Sequence, residues 1–361
     1  MFIGICGGIC AGKDTIAKYL VREHGFTRLY LSRNAPTPPV ERSASDAHVP
    51  APDETTSSKS KFHTADDLLA HVTASWQQRW VTTDIWDESV LDVYDRRPAF
   101  ILLSVDAPIT TRWERFRVRC ERHSLTPPDL TEFVLRNDVH IYSHEAGLAY
   151  LLNRASIRLL NTSTSLEALY SSLDDLDLTN EERLRPSWDV YFMQLSDLAA
   201  QRSNCMKRRV GAVLVGKERR VISTGYNGTP RGMKNCNHGG CPRCNTAARA
   251  GAGLDTCLCL HAEENALLEA GRERIRDGSI LYCNTCPCLT CSVKIAQVGI
   301  SEVIYSQQYS LDRSAERILG EAGVKLRQFS PPKEGLVDLA VATKSKAQTN
   351  GHVDQLEKFT L

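Results

Sequence analysis

The first 180 residues alternate short apolar runs with longer segments of mixed apolar and polar residues. The apolar runs predict buried strands at 2–6, 80–85, 100–105 and 156–161. The mixed segments predict helices near 13–23, 65–78, 87–96, 110–123 and 165–173. Strands that alternate with helices are typical of a parallel, doubly wound sheet. We therefore predict an α/β domain over residues 1–180.

Three segments depart from this pattern. Residues 32–64 are rich in Pro, Ser, Ala, Asp and Thr, so they cannot bury enough apolar surface to offset the entropy cost of ordering, and we predict a disordered insert. An acidic stretch at 174–182 predicts a linker between domains. Residues 331–361 predict a flexible tail.

A second α/β pattern begins near residue 185. It predicts strands at 210–216, 220–225, 279–284, 302–306 and 324–328, and helices at 187–202, 261–271, 288–298 and 312–322. A loop rich in Gly and Cys, at about 227–258, interrupts the pattern. We therefore predict a second domain over residues 185–330.

The composition argues against several classes of function. Lys and Arg total 44 and Asp and Glu total 43, so no strong field exists to attract nucleic acid or a membrane surface. No apolar run approaches the roughly 18 residues of a membrane span. Nine of the 13 cysteines fall between Cys236 and Cys291, a clustering typical of metal binding. No segment has the features of a signal peptide, so we expect a cytoplasmic protein, with the nucleus as a second compartment.

The most specific motif is His261-Ala-Glu263, followed by Pro287-Cys288-Leu-Thr-Cys291. One His and two Cys are three zinc ligands, and catalytic zinc sites keep the fourth position open for water or substrate. Cys288 and Cys291 are three residues apart at a predicted helix start, so they share one face. The H-x-E and P-C-x-x-C pattern is the general signature of zinc-dependent nucleobase deaminases.

This chemistry assigns a role to each residue of the motif. A water activated by zinc is expected to attack a cytosine ring at C4, while Glu263 carries a proton to the ring and then to the leaving amino group. The alternative is a purely structural zinc knuckle, since a bare C-x-x-C pair also occurs at Cys241/Cys244 and Cys283/Cys286.

Four separated motifs over about 186–330 resemble the deoxycytidylate (dCMP) deaminases. They are the two zinc motifs, the loop Gly-Tyr-Asn-Gly-Thr-Pro-Arg-Gly at 225–232, and Arg202-Ser-Asn-Cys205. The resemblance implies a cytidine-deaminase-like α/β/α fold and hydrolysis of dCMP to dUMP and ammonia. It also implies a homohexamer that dCTP activates and dTTP inhibits, with Mg²⁺ bound to the nucleotide effector.

The same resemblance suggests further site residues. Asn227 matches a sugar-contacting position, with turn chemistry as its alternative role, and Gly228 lies in a segment of the effector site. Arg272 matches a position linked to effector response, and Tyr309 one that closes over the nucleotide. Several family members also carry a second, structural zinc, and Cys205 and Cys236 match two of its ligand positions. We predict Cys257 and Cys259 as the other two ligands; His238, Cys241 and Cys244 are further candidates.

The start of the chain carries a second motif. Gly7, Gly12 and Lys13 form G-x-x-x-x-G-K between a predicted strand and helix, the context of a phosphate-binding P-loop. Asp14 stands where Ser or Thr is usual, and Thr15 follows. This domain loosely resembles nucleotide and dephospho-CoA kinases, and we favour nucleotide binding over active phosphoryl transfer.

Other functions remain open at this point. A deaminase of free cytidine, of the riboflavin pathway or of tRNA adenosine shares the metal motif. A nucleotide sensor stabilised by metal, without catalysis, and a bifunctional kinase and deaminase are the remaining alternatives.

Overall fold

The computed structural model describes residues 1–32, 60–143, 147–163, 165–246, 249, 252–308 and 313–339. The chain divides into two compact units. Unit 1 comprises Met1–Leu184 and Lys333–Leu361, and unit 2 comprises Arg185–Pro332.

Unit 1 is built on a six-stranded sheet in the order β13-β7-β6-β1-β5-β2, in which every pairing is parallel. The parallel sheet predicted from the sequence is therefore confirmed. Strands β3 and β4 form a separate, two-stranded parallel sheet. The strands of unit 1 are β1 (Phe2–Gly7), β2 (Thr27–Arg28), β3 (Tyr30–Leu31), β4 (Lys61–Phe62), β5 (Trp80–Thr82), β6 (Phe100–Asp106), β7 (Ile157–Leu160) and β13 (Gly335–Asp338).

Helices cover both faces of this sheet, because alternate residues of a strand point to opposite sides. In β1, Ile3 and Ile5 pack in one core with α1 and α7, whereas Phe2 packs in a second core with α2, α3 and α6. The helices are α1 (Lys13–His24), α2 (Ala65–Ala74), α3 (Glu88–Tyr94), α4 (Ile109–Arg122), α5 (Leu130–Tyr142), α6 (Ala149–Arg154) and α7 (Leu166–Leu176).

Three sequence predictions for unit 1 need correction. The tail is not flexible throughout, because residues 335–338 pair with β7 and bury Val337 and Leu339 in the core. The predicted insert ends earlier than 64, since β4 and the N-cap Thr64 of α2 are ordered; residues 33–59 lie outside the described part. The acidic linker is helical at both ends, with α7 reaching Leu176 and a 3-10 turn at Glu181–Arg183.

Unit 2 contains a five-stranded mixed sheet in the order β12-β11-β10-β8-β9. The pairs β8/β9 and β8/β10 are antiparallel, and β10/β11 and β11/β12 are parallel. Its elements are α8 (Trp188–Ala200), β8 (Gly211–Val215), β9 (Val221–Tyr226), α9 (Ala262–Ala270), β10 (Ile280–Thr285), α10 (Leu289–Val298), β11 (Glu302–Gln307), α11 (Arg313–Glu321) and β12 (Lys325–Gln328).

The sheet divides the core of unit 2 into two layers, as the alternating residues of the inner strand β8 show. Ala212 and Leu214 pack with residues of α9, α10 and α11, and Val213 and Val215 pack with α8. The predicted α/β/α arrangement of unit 2 is therefore confirmed. None of the helices in the described ranges combines the length and apolar character that a membrane span requires.

Candidate active site

Two helix N-termini bring the predicted zinc ligands of unit 2 together. His261 is the N-cap residue of α9, and Cys288 is the N-cap residue of α10. Cys291 follows in the first turn of α10, where it is buried. The sequence predicted His261 and Cys288 one position further inside each helix. As N-caps, both residues have extended backbone, and neither side chain makes a capping hydrogen bond to its own helix.

The donor atoms of these residues have the spacing of zinc ligands. Nδ1 of His261 lies 3.3 Å from Sγ of Cys288 and 3.4 Å from Sγ of Cys291. Bonds of about 2.3 Å to sulfur and 2.05 Å to nitrogen at a tetrahedral angle give an N–S separation of about 3.6 Å. The three residues therefore fit a tetrahedral zinc ion, and we call them the three-donor site.

The described part of the chain supplies three protein ligands to the three-donor site. Among the described residues, no further His, Cys, Asp or Glu side chain joins this group within the 4.8 Å that contains its members. Three ligands with room for water or substrate are the mark of a catalytic zinc site, whereas structural sites are closed by four. A structural zinc knuckle at this position is therefore disfavoured.

Glu263 lies in the first turn of α9 and is 3% exposed. Burial disfavours the charged carboxylate and raises the pKa of Glu263 to about 7. A carboxyl group with a pKa near neutrality can both accept and donate a proton. Its position two residues after His261 places it beside the three-donor site without joining the ligand group.

Hydrogen bonds within the site shift the pKa values of the two thiols in opposite directions. Hydrogen bonds from Cys291 and His261 lower the pKa of Cys288 to about 3, and the same bond to Cys288 raises the pKa of Cys291. The hydrogen bond to Cys288 also raises the pKa of His261. A thiolate at Cys288 is the form that binds metal.

Contacts between neighbouring elements fix the two ligand-bearing helices. Lys294 of α10 pairs with Glu264 of α9 at 2.6 Å. Asn265 donates its amide to the carbonyl of Tyr226 at 2.7 Å, which ties α9 to the end of β9. Gly225 allows this approach, because a Cβ there would lie 2.1 Å from the carbonyl oxygen of Ala262.

The structure gives different results for the four other residues of unit 2 that we predicted to bind nucleotide. Asn227 is buried, and its amide already bonds to Ser203, Arg208 and the backbone of Val210, which supports the turn role. Gly228 abuts Asn204, so any side chain there would displace Asn204. Arg272 is exposed at the start of a 3-10 turn after α9, and Tyr309 lies outside the described residues. Contact of these residues with a nucleotide stays a prediction.

The predicted second zinc site needs a correction. Cys205, Cys236 and Cys259 do group together, but the fourth member of that group is Cys244 and not Cys257. A 3-10 turn at Arg243–Asn245 carries Cys244 inward to the middle of the buried cysteines, while Cys257 lies on its other side, in a second group with Cys241. Among the described residues, His238 joins neither group.

The glycine-rich loop of unit 1 connects β1 to α1 as predicted. Gly7 and Gly12 have φ values of 147° and 115°, which other residues rarely adopt. Lys13 donates from Nζ to the carbonyls of Gly7 and Gly8 at 2.8 and 2.9 Å. Asp14 pairs with Arg28, and Thr15 lines a cavity of about 780 Å³ together with the loop.

Sequence reasoning missed one feature of unit 2. It identified the cysteines of the loop but not that six of them form one buried group, to which Cys241 and Cys244 belong. The Cys241-x-x-Cys244 spacing was the available signal.

Comparisons with known proteins agree with this geometry. Residues 186–307 match the family model for the cytidine and deoxycytidylate deaminase zinc-binding region. The deoxycytidylate deaminase of Schizosaccharomyces pombe is 45% identical over 337 residues, which cover 92% of this chain and 99% of that protein. That of Saccharomyces cerevisiae is 48% identical over 255 residues, covering 68% of this chain and 80% of that protein.

A solved structure is also similar in sequence. The dCMP deaminase from cyanophage S-TIM5, crystallised with dCMP and dUMP, is 30% identical, with a TM-score of 0.31, and the match covers 38% of this chain and 94% of that one. Since the match to the S. pombe protein covers 92% of the chain, it cannot be confined to unit 2. On the strength of the two yeast relatives, the chain belongs to the deoxycytidylate deaminase family and is an enzyme of the hydrolase class.

Proposed function

We propose that this enzyme hydrolyses dCMP to dUMP and ammonia at a zinc ion bound by His261, Cys288 and Cys291. The observation that carries the proposal is the three-donor site itself, with N–S separations of 3.3 and 3.4 Å and buried Glu263 beside it. Similarity to the yeast deoxycytidylate deaminases supports the choice of substrate.

The donor set suits zinc better than a harder cation. Imidazole and thiolate ligands select zinc over Mg²⁺ or Ca²⁺, which prefer oxygen. When bound, the ion supplies Lewis acidity that lowers the pKa of a water toward about 7.

Glu263 is the proton carrier of the proposed reaction. Its carboxyl group takes a proton from the attacking water and gives one to N3 of the cytosine ring, and then assists the departure of the C4 amino group as ammonia. One water is consumed and one ammonia released, so the carboxyl group ends each turnover in its starting state. Burial keeps bulk water from competing for this proton.

Turnover of dCMP, cytidine and a tRNA stem-loop by the full chain tests the choice of substrate. We expect ammonia release from dCMP with kcat/KM at least about 100-fold above that for cytidine, since a lost phosphate contact costs about 3 kcal/mol. Activity confined to the tRNA stem-loop would contradict the proposal. Absence of turnover on every substrate, with zinc bound, would favour the non-catalytic sensor.

We further propose that dCTP activates and Mg²⁺-bound dTTP inhibits a homo-oligomer of this chain, a hexamer by resemblance to the family. The loop at 225–232 and exposed Arg272 are the effector candidates. Exposed apolar side chains on the ligand-bearing helices, Leu268 at 66% and Val293 at 50%, support burial in an oligomer.

Rates of dCMP turnover with each effector test this regulation. The variant Arg272→Ala is expected to reduce the response to dCTP and dTTP, whereas Arg276→Ala, a matched exposed arginine, is the control. Light scattering gives the oligomer size. A rate unaffected by both effectors in the unaltered protein would contradict the regulatory proposal without affecting the catalytic one.

A second candidate function belongs to unit 1. We propose that its glycine-rich loop binds nucleotide phosphate, because loop amides and the start of α1 line a cavity that also contains Lys13, Arg115, Arg119 and Arg122. Lys13 now bonds to loop carbonyls, a position from which Nζ can turn to a phosphate. Asp14, engaged by Arg28, replaces the usual hydroxyl that binds Mg²⁺, so we propose binding and not phosphoryl transfer. Calorimetry with ATP and dNMPs, and an assay for transfer between them, test these two points.

A further inference from the structure

Six cysteines of unit 2 form a buried group that the proposed reaction does not use. We call it the cysteine cluster; its members are Cys205, Cys236, Cys241, Cys244, Cys257 and Cys259. Four of them are less than 9% exposed. Among the loop residues that the structure describes, no other apolar side chain belongs to the cluster, so something besides hydrophobic packing must hold this long loop together.

The sulfur atoms have the spacing of ligands on a tetrahedral metal ion. Sγ of Cys244 lies 3.8 Å from Sγ of Cys205, 3.8 Å from that of Cys257 and 3.9 Å from that of Cys259. Four zinc–sulfur bonds of about 2.3 Å at tetrahedral angles place neighbouring sulfurs about 3.8 Å apart. The observed separations therefore match the edges of a zinc–thiolate tetrahedron.

The cluster contains two such tetrahedra and not one. Cys205, Cys236, Cys244 and Cys259 form one group with all sulfurs within 4.8 Å, and Cys241, Cys244, Cys257 and Cys259 form another. The two groups share Cys244 and Cys259. Cys205 and Cys236 do not group with Cys241 and Cys257. This is expected if the two pairs lie on opposite sides of the edge that Cys244 and Cys259 form.

We propose that the cysteine cluster binds two zinc ions, bridged by the thiolates of Cys244 and Cys259. Cys205 and Cys236 complete the first ion's shell, and Cys241 and Cys257 complete the second. Six thiolates serve two four-coordinate ions only if two of them are shared. The resulting centre is structural, because each ion has four protein ligands.

Nearby N–H groups suit the negative charge of such a centre. Two Zn²⁺ ions and six thiolates carry a net charge of −2. Because the sulfurs are largely buried, hydrogen-bond donors must offset this charge. The backbone N–H of Met206 points to Sγ of Cys236 at 3.4 Å, and that of Leu258 to Sγ of Cys241 at 3.4 Å. The guanidinium of Arg243 lies 3.7 Å from Sγ of Cys257.

Other states of these thiols fit less well. A disulfide requires an S–S bond of about 2.05 Å, and all six cysteines are free. A single zinc ion leaves two thiols, one buried and one half-buried, without a role, although they complete a second tetrahedron with Cys244 and Cys259. Iron–sulfur clusters take four cysteine ligands per cluster and do not need shared thiolates.

Counting metal ions in the full chain by native mass spectrometry tests the proposal. We expect three zinc ions per chain, of which His261→Ala removes one and leaves the two of the cluster. Two ions in the unaltered chain and one in His261→Ala would indicate a mononuclear cysteine site and overturn the proposal. Bound iron, or fewer than 13 free thiols after denaturation with chelator, would overturn it as well.

Cysteine-to-serine variants resolve the two ions. We expect Cys205→Ser and Cys257→Ser each to weaken one cluster ion, and Cys244→Ser to weaken both. A mononuclear site at the first group would leave the zinc content of Cys257→Ser unchanged. Cys286→Ser is the matched control, since Cys286 belongs to a C-x-x-C pair but to neither group, and it is expected to retain all three ions.

A spectroscopic measurement on the unaltered chain avoids dependence on variant folding. After cadmium replaces zinc, ¹¹³Cd resonance is expected to give two cluster signals that split each other through the shared sulfurs. Uncoupled signals, or a single cluster signal, would overturn the bridge. None of these experiments depends on dCMP turnover, so their results are independent of the proposed function.

Discussion

Unit 2 contains two groups of soft ligands whose compositions differ in an instructive way. The three-donor site combines one imidazole with two thiols, next to a buried carboxyl group. The cysteine cluster has sulfur alone, in two complete sets of four that share two members. Zinc with three protein ligands can accept a water or substrate, whereas zinc with four cannot without losing a ligand. The number of donors therefore separates chemistry from structure within one domain.

The two groups also differ in how the chain supplies them. Regular helices and their caps position the three-donor site, so it is held by the core of unit 2 even without metal. Five of the six cysteines of the cluster lie in the loop between β9 and α9, which contains short 3-10 turns, and Cys205 lies between α8 and β8. We expect the order of this loop to depend on metal bound by the sulfurs. Removal of metal from the three-donor site is therefore expected to abolish activity, and removal of metal from the cysteine cluster to reduce the stability of unit 2.

The largest effect on activity is expected from His261→Ala. This change removes one ligand of three, and loss of the ion's contribution of several kcal/mol lowers kcat/KM for dCMP by about 10³-fold or more. Thermal unfolding is expected to shift by less than about 4 °C, since the packing of α9 is unchanged. Ammonia release and calorimetry measure the two quantities. A fall in Tm of roughly 6–12 °C, the size expected for Cys244→Ser, would contradict the distinction between a catalytic site and a structural cluster.

The largest effect on stability is expected from Cys244→Ser, which removes a ligand shared by both proposed cluster ions. A loss of about 3 kcal/mol lowers the Tm of a domain of this size by roughly 6–12 °C. The measurement is calorimetry of the variant beside Cys286→Ser, for which a much smaller shift is expected. An unchanged Tm in Cys244→Ser would show that the loop does not depend on the cluster.

A chelator is expected to distinguish the two groups by accessibility. His261 is exposed and Cys288 half-buried, whereas four cysteines of the cluster are buried. Activity is therefore expected to fall before the Tm does, and added zinc to restore it. The time courses of both properties in one chelator solution provide the measurement. A simultaneous loss would contradict separate ions with separate roles.

The smallest effect on deamination is expected from Lys13→Ala in unit 1. Loss of the ammonium group from the glycine-rich loop is expected to weaken nucleotide binding there by about 10-fold or more. Basal turnover of dCMP, measured without effectors, is expected to stay within about twofold. Unchanged ATP affinity by calorimetry would contradict phosphate binding at this loop.

Much of the fold follows from local pattern. The period of the apolar residues predicts nearly every element of unit 2, because each packs one face against a single sheet. The strand at 335–338 could not be predicted, since it is four residues long and its residues pair with residues of β7 that lie 178 positions earlier in the sequence. Its pairing depends on an edge of the sheet that only the folded unit presents.

The candidate site divides in the same way. His261, Glu263, Cys288 and Cys291 were identifiable because their spacing alone places them at two helix starts. The members of the cysteine cluster were identifiable as thiols, but not the sharing of Cys244 and Cys259, which depends on how an irregular loop folds back on itself. Asn227 shows a further limit, because its bonds to Ser203 and Arg208 arise only when the loop is in place.

The most direct test of the central claim is the rate of dCMP hydrolysis by Glu263→Gln, with zinc content measured on the same sample. Glu264→Gln is the matched control, because the glutamine side-chain oxygen can still accept the hydrogen bond from Lys294 that holds the two helices. The account predicts a loss of about 10²–10⁴-fold in kcat for Glu263→Gln with all zinc retained, and a change below about threefold for Glu264→Gln. A Glu263→Gln variant with full zinc and a rate near that of the unaltered enzyme would contradict it.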